Sequence, residues 1–375
     1  MSAVPDTFFT ATPDWRWLII WYFFVGGIAG GCYMLAVLAD LFGDPGDRRL
    51  AHTGYCIAFA AIVLSGLLLT IDLGRPLRFW HMLVQSHTGR PMFKPWSPMS
   101  LGSWALLLFG AVSFLSFLAA LADAGQLPWR GLGRLRPPGM LGCLVSVVGG
   151  LLGFFVAGYT GVLLSVTNRP IWADTSLLGL AFLVSAASTS AALLVLVSYA
   201  AGWFNAGVYA LKRFDAWVLM LELLVLAALV ASLGAVARIW LSSWGVFLLG
   251  VVVIGIVAPL VLHWRGAEAG RLTTPIAAAL VVVGGFLLRV VIVLSSESVA
   301  FLAAIGVVIV TAAACTSPEA TRVRGGGPGA DLGNHGAEVR MHDGSQPYHE
   351  TPRLVATSSK SRRSVSSTAT EGPSR

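Results

Sequence analysis

The sequence predicts an all-α integral membrane protein. Of its 375 residues, 56% are hydrophobic and only 11% are charged, whereas about a quarter of the residues in a soluble domain are charged. Apolar runs of about 20 residues, the length that crosses the hydrocarbon core of a bilayer, recur along most of the chain. Backbone groups in lipid must be hydrogen-bonded within the protein, and the strand alternation of a membrane β-barrel is absent, so these runs predict helices.

Eight apolar runs define predicted membrane helices, and a ninth, shorter run follows the polar tetrapeptide SSES. The ninth run is shorter than a bilayer crossing normally requires, so the sequence leaves open whether there is a ninth transmembrane helix. The predicted helices cover residues 17–40, 52–74, 99–123, 140–165, 176–202, 215–235, 244–263 and 274–294, and the ninth run covers residues 298–315.

Two flanking segments lie outside the predicted transmembrane domain of residues 17–315. The N-terminal segment, residues 1–16, has no basic region ahead of an apolar core, so no cleavable signal peptide is expected. Residues 316–375 are rich in Gly, Ser, Pro and charged residues and poor in apolar ones. A segment of this composition cannot bury enough apolar surface to fold, so we predict a disordered polar tail.

Composition also argues against several functions. The net charge is +7, but the basic residues are spread between apolar runs and the tail, with no basic face that would bind nucleic acid. The four cysteines form no CxxC pair, so neither a metal site nor an iron–sulfur cluster is expected. His52 and His263 lie at helix ends and the other histidines lie in a loop or in the tail, so no pair is expected to face inward at matching depth as the axial ligands of a haem would.

Lysines and arginines in short loops favour one orientation by a small margin. We define side A as the side of the membrane on which the first helix begins, and side B as the opposite side. Cytoplasmic loops are enriched in Lys and Arg, and a ninth helix would add the basic residues of the tail to side B. We therefore predict that side B is cytoplasmic and that the N-terminus is outside. Side A loops carry seven such residues, Arg16, Arg75, Arg78, Arg90, Lys94, Arg169 and Arg238, and side B loops carry nine, Arg48, Arg49, Arg130, Arg134, Arg136, Lys212, Arg213, Arg265 and Arg271.

A charge within a membrane helix is costly and marks a functional site by default. The candidates in the predicted helices are Asp72, Glu222 and Arg289. Asp72 lies in the last turn of the second helix, with Arg75 three residues further on. The two residues form either a local ion pair at the interface or a site in which Asp72 accepts a proton or anchors a ligand. A carboxylate is unfavourable at a helix C-terminus, which favours a functional role for Asp72.

The other two charged residues permit alternative interpretations. Arg289 is expected near the side A end of the eighth helix, where its side chain would extend to the membrane surface. Glu222 is expected near the start of the sixth helix, about 15 Å from the level of Arg289 at a rise of about 1.5 Å per residue. Direct pairing is therefore not expected, and Glu222 either hydrogen-bonds between helices or belongs to a separate proton path.

Further polar and small residues lie near side A. Tyr159 and Thr160 fall close to the end of the fourth helix, where a tyrosine either anchors the helix at the interface or hydrogen-bonds a ligand carbonyl. In the first helix, the stretch GGIAGG at residues 26–31 contains two overlapping GxxxG pairs. Such pairs predict close helix packing, and a smooth surface for a flat ring is the alternative.

Six segments follow one another in a recognisable order between about residue 15 and residue 300. They are GGIAGG in the first helix, DLGRPLRFWHML after the second, SPMSLGSWALLLFG at the start of the third, YTGVLLSVTNRPIW at the end of the fourth, LLGLAFLVSAASTSAALL in the fifth and GGFLLRVVIV in the eighth. In these segments the chain resembles the NrfD/polysulfide reductase membrane-subunit family. The tail lies outside the resemblance, and a ninth helix would depart from the eight-helix core of that family.

The resemblance implies a core of two four-helix bundles, with bundle one in residues 17–165 and bundle two in residues 176–294. It implies a multi-pass subunit of the bacterial cytoplasmic membrane without a haem or iron–sulfur cluster of its own. Such a subunit binds a quinone, menaquinone or ubiquinone, as its substrate. It exchanges electrons with a ferredoxin-like iron–sulfur subunit, often joined by a molybdopterin catalytic subunit. The quinol would bind near the membrane face on which the iron–sulfur subunit docks.

Carried onto this sequence, the resemblance implies roles for residues on side A. Asp72 would accept a proton from the quinol, Arg75 would orient Asp72 and keep it ionised, and His81 would pass protons to water. Arg78 and Arg169 would belong to the docking surface for the partner, together with the loop after the second helix.

The quinone headgroup would be bound by residues of the first and fourth helices. Tyr159 would hydrogen-bond a headgroup oxygen, with Thr160 beside it. Some relatives carry a histidine or an asparagine in the first helix, and this chain does not; Tyr22 is the nearest polar substitute there.

Two alternative functions are compatible with the same residues. If Asp72, Glu222 and Arg289 form a proton path across the bilayer, the chain is a proton-translocating module. Charges within the membrane are also compatible with a secondary transporter or an ion channel. Transporters, however, usually contain helices broken near the midplane, and the prolines of this chain cluster at predicted helix ends.

Overall fold

The structure is a computed structural model that describes residue 15, residues 17–264 and residues 272–316. Within this set, the side chains of residues 130, 235 and 297–316 are not described. The predicted N-terminal segment, apart from Trp15, and the predicted polar tail from residue 317 onward lie outside the described residues.

The described residues form α-helices joined by short connections and 3₁₀ turns. Bundle one contains α1 (Trp17–Phe42), α2 (Arg48–Asp72), α3 (Pro98–Asp123) and α4 (Met140–Ser165). The second half contains α5 (Leu178–Ala200), α6 (Ala206–Ser232), α7 (Ser243–Val252), α8 (Ala258–Trp264) and α9 (Thr273–Thr316). The 3₁₀ segments are Pro45–Asp47, Pro76–Met82, Arg130–Leu135 and Gly234–Leu241.

Eight helical segments among the described residues are long and apolar enough to cross a membrane, and they follow the order of the eight predicted helices. The prediction of an all-α integral membrane protein is therefore confirmed. The physical reason is that an apolar run of about 20 residues in lipid can satisfy its backbone groups only by forming a helix.

The largest boundary error is at α6, which begins at Ala206 rather than at residue 215. Its first turns carry charged residues, so the apolar run does not reveal them. The start is marked instead by Asn205, whose side-chain oxygen accepts a hydrogen bond from the backbone N–H of Val208 at 3.0 Å. The earlier start moves Glu222 from the beginning of the helix to its middle.

The seventh span consists of α7 and α8 joined by a π-helical turn over Val253–Val257. Pro259 explains the turn, because proline has no N–H to donate to the carbonyl four residues earlier. Next to Pro259, the N–H of Ala258 bonds to the carbonyl of Val253, five residues back rather than four. Single π turns inside α-helices are frequent at functional sites.

The eighth span belongs to a helix that continues without a break to Thr316. The tetrapeptide SSES does not end this helix, because Ser295 and Ser296 donate to carbonyls of the preceding turn at 3.3 and 2.9 Å. The helix has 44 residues, so at about 1.5 Å per residue it measures about 66 Å, roughly twice the hydrocarbon thickness. Residues 298–315 therefore continue α9 and do not form a separate ninth helix that returns to side B. The basic residues of the tail are therefore not added to side B and do not support the predicted orientation.

The helices pack in two groups. In the first group, α2 and α4 both pack against α1 and against α3. In the second group, α5 packs on α6 and α9, and α9 packs on α7 and α8. This arrangement agrees with the two four-helix bundles that the family resemblance implies. Both α1 and α4 also pack on α5, so α1 lies where the two bundles meet.

The GGIAGG stretch of α1 packs closely against both bundles. A side chain at Gly30 would overlap the backbone carbonyl of Gly153 in α4, and a side chain at Gly31 would overlap Ser190 in α5. These glycines therefore permit backbone approaches that a larger residue would prevent. Close helix packing, which the sequence predicts for this stretch, is what the structure shows.

A buried charge network joins the side B loops of bundle one. Arg136 donates from Nε and Nη2 to the two oxygens of Asp40 at 2.8 and 2.7 Å, and from Nη1 to Asp123 at 2.8 Å. The side chains of Arg136 and Asp40 are only 4% and 2% exposed. Burial alone would lower the pKa of Arg136, but the hydrogen bonds to Asp40 and the negative charges of Asp40 and Asp123 raise it. The guanidinium stays charged and ties α1, α3 and the 124–139 loop together.

We expect Arg136→Lys to lower the free energy of unfolding by about 2 kcal/mol, because lysine keeps the charge but cannot make two parallel hydrogen bonds to Asp40. The measurement is unfolding of the purified protein in micelles by added SDS, followed by tryptophan fluorescence. Arg134→Lys, at an exposed position of the same loop, is the matched control and should leave the unfolding curve unchanged. Equal stability of Arg136→Lys and the wild type would contradict the structural role of the network.

Candidate functional site

A polar cluster lies between α1, α2 and α4, next to Gly26. A methyl group on Gly26 would lie 3.6 Å from Oγ of Ser65, 3.8 Å from Cγ2 of Thr160 and 3.9 Å from the ring of Tyr22. These are ordinary van der Waals distances, so the absence of a side chain at Gly26 leaves room for about one methyl group between three helices. We call Tyr22, Ser65 and Thr160 the side A cluster.

The side A cluster lies at one depth in the membrane. Tyr22 is five residues after the start of α1, Thr160 is five residues before the end of α4, and Ser65 is seven residues before the end of α2. At about 1.5 Å per residue, all three lie about 8–10 Å inside the side A ends of their helices. The cluster is therefore close to the side A surface but below it, at a depth that a lipid-soluble molecule reaches.

The hydroxyl groups of Thr160 and Ser65 differ in whether they have a hydrogen-bond partner. Thr160 Oγ1 donates to the carbonyl oxygen of Ala157 at 3.0 Å. Oγ of Ser65 is buried and has no hydrogen-bond partner among the described residues. A buried hydroxyl without a partner costs about 1–3 kcal/mol. Ser65 is therefore a candidate for binding a polar group of a ligand.

The side chain of Tyr159 points in a different direction from that of Thr160, towards α3. Its hydroxyl donates to the carbonyl of Pro98 at 2.7 Å, and its ring stacks on Phe155 with centroids 5.5 Å apart. Gly102 makes this placement possible, because any side chain there would overlap the phenol ring. The hydroxyl proton is thus used within the protein, and towards a ligand Tyr159 is an acceptor. Its ring borders a cavity of about 330 Å³ between α3 and α4.

Asp72 is the last residue of α2 and is half-buried. It forms no ion pair with any residue that the structure describes. Of the two alternatives for Asp72 and Arg75, the local ion pair is therefore not formed, and the backbone explains why. Gly74 has a φ of 66° and ends the helix, so Arg75 does not lie on the helix face where a pair three residues apart would form. The carboxylate of Asp72 is left without a counter-charge.

His81 and Arg78 lie in the 3₁₀ segment that follows α2. Nδ1 of His81 is 3.0 Å from the carbonyl oxygen of Arg78, and a carbonyl only accepts, so Nδ1 carries the hydrogen. The imidazole stacks on Trp80 with centroids 3.8 Å apart. Nε2 is therefore the nitrogen that can exchange a proton. Arg75 and Arg78 are both exposed on this segment.

An apolar cavity of about 490 Å³ lies between α2 and α3, bordered on side A by the 3₁₀ segment. Thr70 and Ser103 are its hydroxyl-bearing residues. Leu73, which directly follows Asp72, also lines it. An apolar lining of this kind suits an isoprenoid chain or an apolar ring. The cavity is therefore a candidate route from the lipid towards the side A end of α2. Its larger apolar residues include Phe59, Ile62, Leu69, Phe79, Met82 and Leu106.

Bundle two holds two opposite charges at mid-membrane depth. Glu222 is 4% exposed and accepts a hydrogen bond from Oγ of Ser188 at 3.0 Å. Arg289 is 1% exposed and donates from Nη1 to Oγ of Ser185 at 3.2 Å and to the carbonyl oxygen of Gly285 at 2.6 Å. Ser185 and Ser188 are one turn apart on α5, so a single helical turn separates the guanidinium from the carboxylate.

This placement corrects two expectations. Arg289 does not extend to the membrane surface, because its guanidinium lies over the rings of Phe24 and Phe182 in the interior. Glu222 and Arg289 are each sixteen residues after the first residue of their helices, α6 and α9. Since both helices run from side B towards side A, the two residues lie at the same depth and not about 15 Å apart. At this common depth they still form no direct ion pair among the described residues.

The remaining predicted residues fall in separate places. Arg169 is buried, and its guanidinium lies 5.3 Å from the centre of the Trp172 ring, so it is not on the exposed loop that carries Arg78. Asp72 belongs to bundle one, whereas Glu222 and Arg289 belong to bundle two. The structure therefore does not bring together the three residues of the predicted proton path.

Sequence reasoning missed several polar residues that line these sites. Ser65, Ser185 and Ser188 are neutral residues in apolar helices, and hydropathy gives them little weight. Asp215 was expected at the start of a helix, but it is 2% exposed within α6. The spacing of these residues could have indicated them. Asp215 and Glu222 are seven residues apart and the two serines of α5 are three apart, so each pair lies on one helix face.

The fold and the site together define a multi-pass membrane protein that holds polar groups below one membrane face and two opposite charges at mid-depth. In the described part of the chain, no three His, Cys, Asp or Glu side chains are placed to hold a metal ion. The family model described as polysulphide reductase, NrfD, matches residues 7–314. The match covers most of the chain, and the chain belongs to this family.

The sequence is also similar to three other bacterial proteins along different lengths. A component of the polysulfide reductase of Wolinella succinogenes is 29% identical over 277 residues, which cover 67% of this chain and 83% of that protein. Protein NrfD of Escherichia coli is 28% identical over 287 residues, covering 68% and 86% respectively. A component of the selenate reductase of Mesobacillus selenatarsenatis is 31% identical over 75 residues, 20% of this chain and 18% of that protein. The protein is accordingly a membrane subunit of an oxidoreductase.

Proposed function

We propose that the chain passes electrons between the quinone pool of the bacterial cytoplasmic membrane and an iron–sulfur partner subunit on side A. The observation that carries the proposal is the side A cluster, in which Tyr22, Ser65 and Thr160 surround the space at Gly26. A quinol is a flat ring with two hydroxyl groups on an apolar tail. Hydroxyl-bearing side chains grouped around a glycine, about 8–10 Å below the membrane face, suit such a headgroup.

Ser65 and Thr160 would bind one oxygen of the headgroup. Oγ of Ser65 has no partner among the described residues, and a hydroxyl both donates and accepts. It can therefore donate to the carbonyl of a quinone and accept from the hydroxyl of a quinol. The ring of Tyr22 would form one wall of the site, and the apolar cavities on either side of α3 would receive the tail.

Oxidation of a quinol releases two protons and two electrons, which must leave the site by different routes. Asp72 would accept a proton, because it is half-buried without a counter-charge and lies seven residues beyond Ser65, on the same face of α2. A headgroup bound to Ser65 by one oxygen would direct its other oxygen towards Asp72. Nε2 of His81 would then carry protons to the side A solvent, and the electrons would pass to the cluster of the partner.

The segment between α2 and α3 would form the docking surface for that partner. Arg75 and Arg78 are exposed there, and Leu77 and Trp96 are 90% and 78% exposed. Arginines beside exposed aromatic and aliphatic side chains are typical of protein interfaces. The partner that we propose is a ferredoxin-like iron–sulfur subunit, joined by a molybdopterin catalytic subunit. Side A would face the outside of the cell, in agreement with the small excess of Lys and Arg in side B loops.

We expect Gly26→Leu to weaken binding of a quinol-analogue inhibitor at least about tenfold, equivalent to about 1.4 kcal/mol. The leucine would fill the space between Ser65, Thr160 and Tyr22 that the headgroup is proposed to occupy. The measurement is a fluorescence-quenching titration of the purified protein, for which micromolar binding by the wild type is expected.

Gly250→Leu is the matched control, because a side chain at Gly250 in α7 meets nothing within 4 Å. It should bind the analogue as the wild type does. The proposal fails if the wild type binds no quinol analogue, or if a folded Gly26→Leu protein binds it with unchanged affinity.

A further inference from the structure

Asp215 and His263 face each other near the side B end of bundle two. Nε2 of His263 is 3.8 Å from Oδ2 of Asp215, and the two side chains are 11% and 3% exposed. Oδ1 of Asp215 is buried and has no hydrogen-bond partner among the described residues. Neither residue takes part in the quinol chemistry on side A, so the burial of this pair requires a separate explanation.

The position of the hydrogen on the imidazole follows from its neighbours. Nδ1 of His263 is 2.8 Å from the carbonyl oxygen of Pro259, and a carbonyl only accepts, so Nδ1 carries a hydrogen. Nε2 is then the nitrogen that faces Asp215. One proton decides the state of the pair: it lies on Nε2, giving imidazolium and carboxylate, or on Asp215, giving a neutral imidazole and a carboxylic acid.

His263, but not Asp215, lines a cavity at the side B surface. This cavity has a volume of about 750 Å³, and its lining includes His263, Lys212, Arg213 and Trp264. The ammonium group of Lys212 is fixed there by a hydrogen bond of 2.9 Å to Oγ1 of Thr274. The imidazole therefore lies between a charged, polar opening and the buried carboxylate.

Towards the membrane interior, the next ionisable residues after the pair are the two charges at mid-membrane depth. Asp215 and Glu222 lie two turns apart on the same face of α6, about 10 Å along the helix axis. Glu222 accepts from Ser188, and Arg289 lies one turn of α5 away. Asp215, Glu222 and Arg289 thus form a row of buried ionisable groups that begins at the side B cavity. The charged and titratable groups around the pair are Tyr209, Lys212, Arg213 and Glu222 on α6.

We propose that Asp215 and His263 form a proton-exchange site that takes protons from the side B aqueous phase and supplies them to Glu222. A proton taken from side B binds to the pair, and its transfer to Glu222 returns the pair to its initial state. The ligand is a proton and not a metal cation, because hard cations require several oxygen ligands and the pair offers a single carboxylate. The inference rests on the proposed function only for its driving force, which oxidation of quinol would supply.

The first test measures proton binding without any quinol. Infrared difference spectra of the purified full-length protein, recorded against pH in H₂O and D₂O, should show the C=O stretch of a buried carboxylic acid. This band should be missing in Asp215→Asn, and its titration midpoint should move by about one pH unit or more in His263→Gln. Asp44→Asn, at an exposed side B position, is the matched control. An unchanged band in Asp215→Asn overturns the proposal.

The second test measures proton movement in the complex. The complex is reconstituted in vesicles, and quinol oxidation and membrane potential are recorded together. Asp215→Asn and His263→Gln should oxidise quinol at the wild-type rate when an uncoupler is present, with a membrane potential roughly twofold or more lower without it. A full potential in both variants overturns the proposal. If the wild type oxidises no quinol, the proposed function fails, and the infrared titration still decides the proton site.

Discussion

Asp72→Asn should lower the rate of quinol oxidation by about 10²–10⁴-fold, the loss that is typical when a proton-accepting side chain is removed. Asparagine has nearly the shape of aspartate, but its side chain cannot take up the proton of the quinol hydroxyl. The measurement is the rate at which the purified complex oxidises a short-chain quinol in the presence of an electron acceptor.

The structure indicates that this variant will remain folded. Asp72 is the last residue of α2, is half-buried and forms no ion pair among the described residues. Replacing it therefore breaks no contact that stabilises the bundle. A negative charge at a helix C-terminus is unfavourable, so the free energy of unfolding should stay the same or rise slightly. A loss of rate would then report on proton transfer and not on misfolding.

Two further variants test whether the loss of rate is specific to removing the proton acceptor at position 72. Asp44→Asn removes a carboxylate on side B and should leave the rate of quinol oxidation unchanged. Asp72→Glu restores a proton acceptor one methylene further out and should recover part of the rate. If Asp72→Asn oxidises quinol within about twofold of the wild type, the quinol proton leaves by a route that does not include Asp72.

The transmembrane fold could be predicted from the sequence because lipid restricts the conformations that the backbone can adopt. An apolar run in a bilayer must satisfy its own N–H and C=O groups, and a helix does so within one segment. The errors lie where this constraint is weaker. The first turns of α6 are charged, so Asn205 and not hydropathy marks the start. At SSES in α9, the polar residues predict a helix end by hydropathy. The helix nevertheless continues, because the serine hydroxyls bond within it.

The candidate site was predicted less well, because its geometry depends on packing between helices. Asp72 was selected as a charge in a predicted helix, Thr160 as a polar residue near side A, and Tyr22 only through the family resemblance. The alternative in which Asp72 pairs with Arg75 fails, since one glycine in the left-handed region redirects the chain. Ser65 was missed because only the packing of three helices shows that its hydroxyl has no partner among the described residues.

The glycines of α1 connect the two polar regions of the molecule. Gly26 faces the side A cluster, and a methyl group on the next residue, Gly27, would lie 3.0 Å from Nη2 of Arg289. Successive residues on a helix point about 100° apart, so α1 presents one glycine to each bundle. The proposed headgroup site and the charges of bundle two are therefore separated by the thickness of a single glycine-rich helix.

We expect Arg289→Met to lower the free energy of unfolding by about 3–5 kcal/mol, the cost of leaving a buried charge without its counter-charge. Methionine resembles arginine in length and would keep the apolar contacts with Phe24 and Phe182. Glu222 would then remain buried without the positive charge that lies one turn of α5 away. Arg238→Met, at an exposed position, is the control and should leave stability unchanged.

The double variant Arg289→Met/Glu222→Gln should recover much of this loss. A glutamine needs no counter-charge, and its carbonyl oxygen can still accept the hydrogen bond from Ser188. We expect a coupling energy of about 1–3 kcal/mol between the two positions, measured from SDS-induced unfolding of the wild type, both single variants and the double variant. If the two losses instead add to within about 0.5 kcal/mol, the charges do not interact. The guanidinium would then stabilise the bundle only through its hydrogen bonds to Ser185 and Gly285.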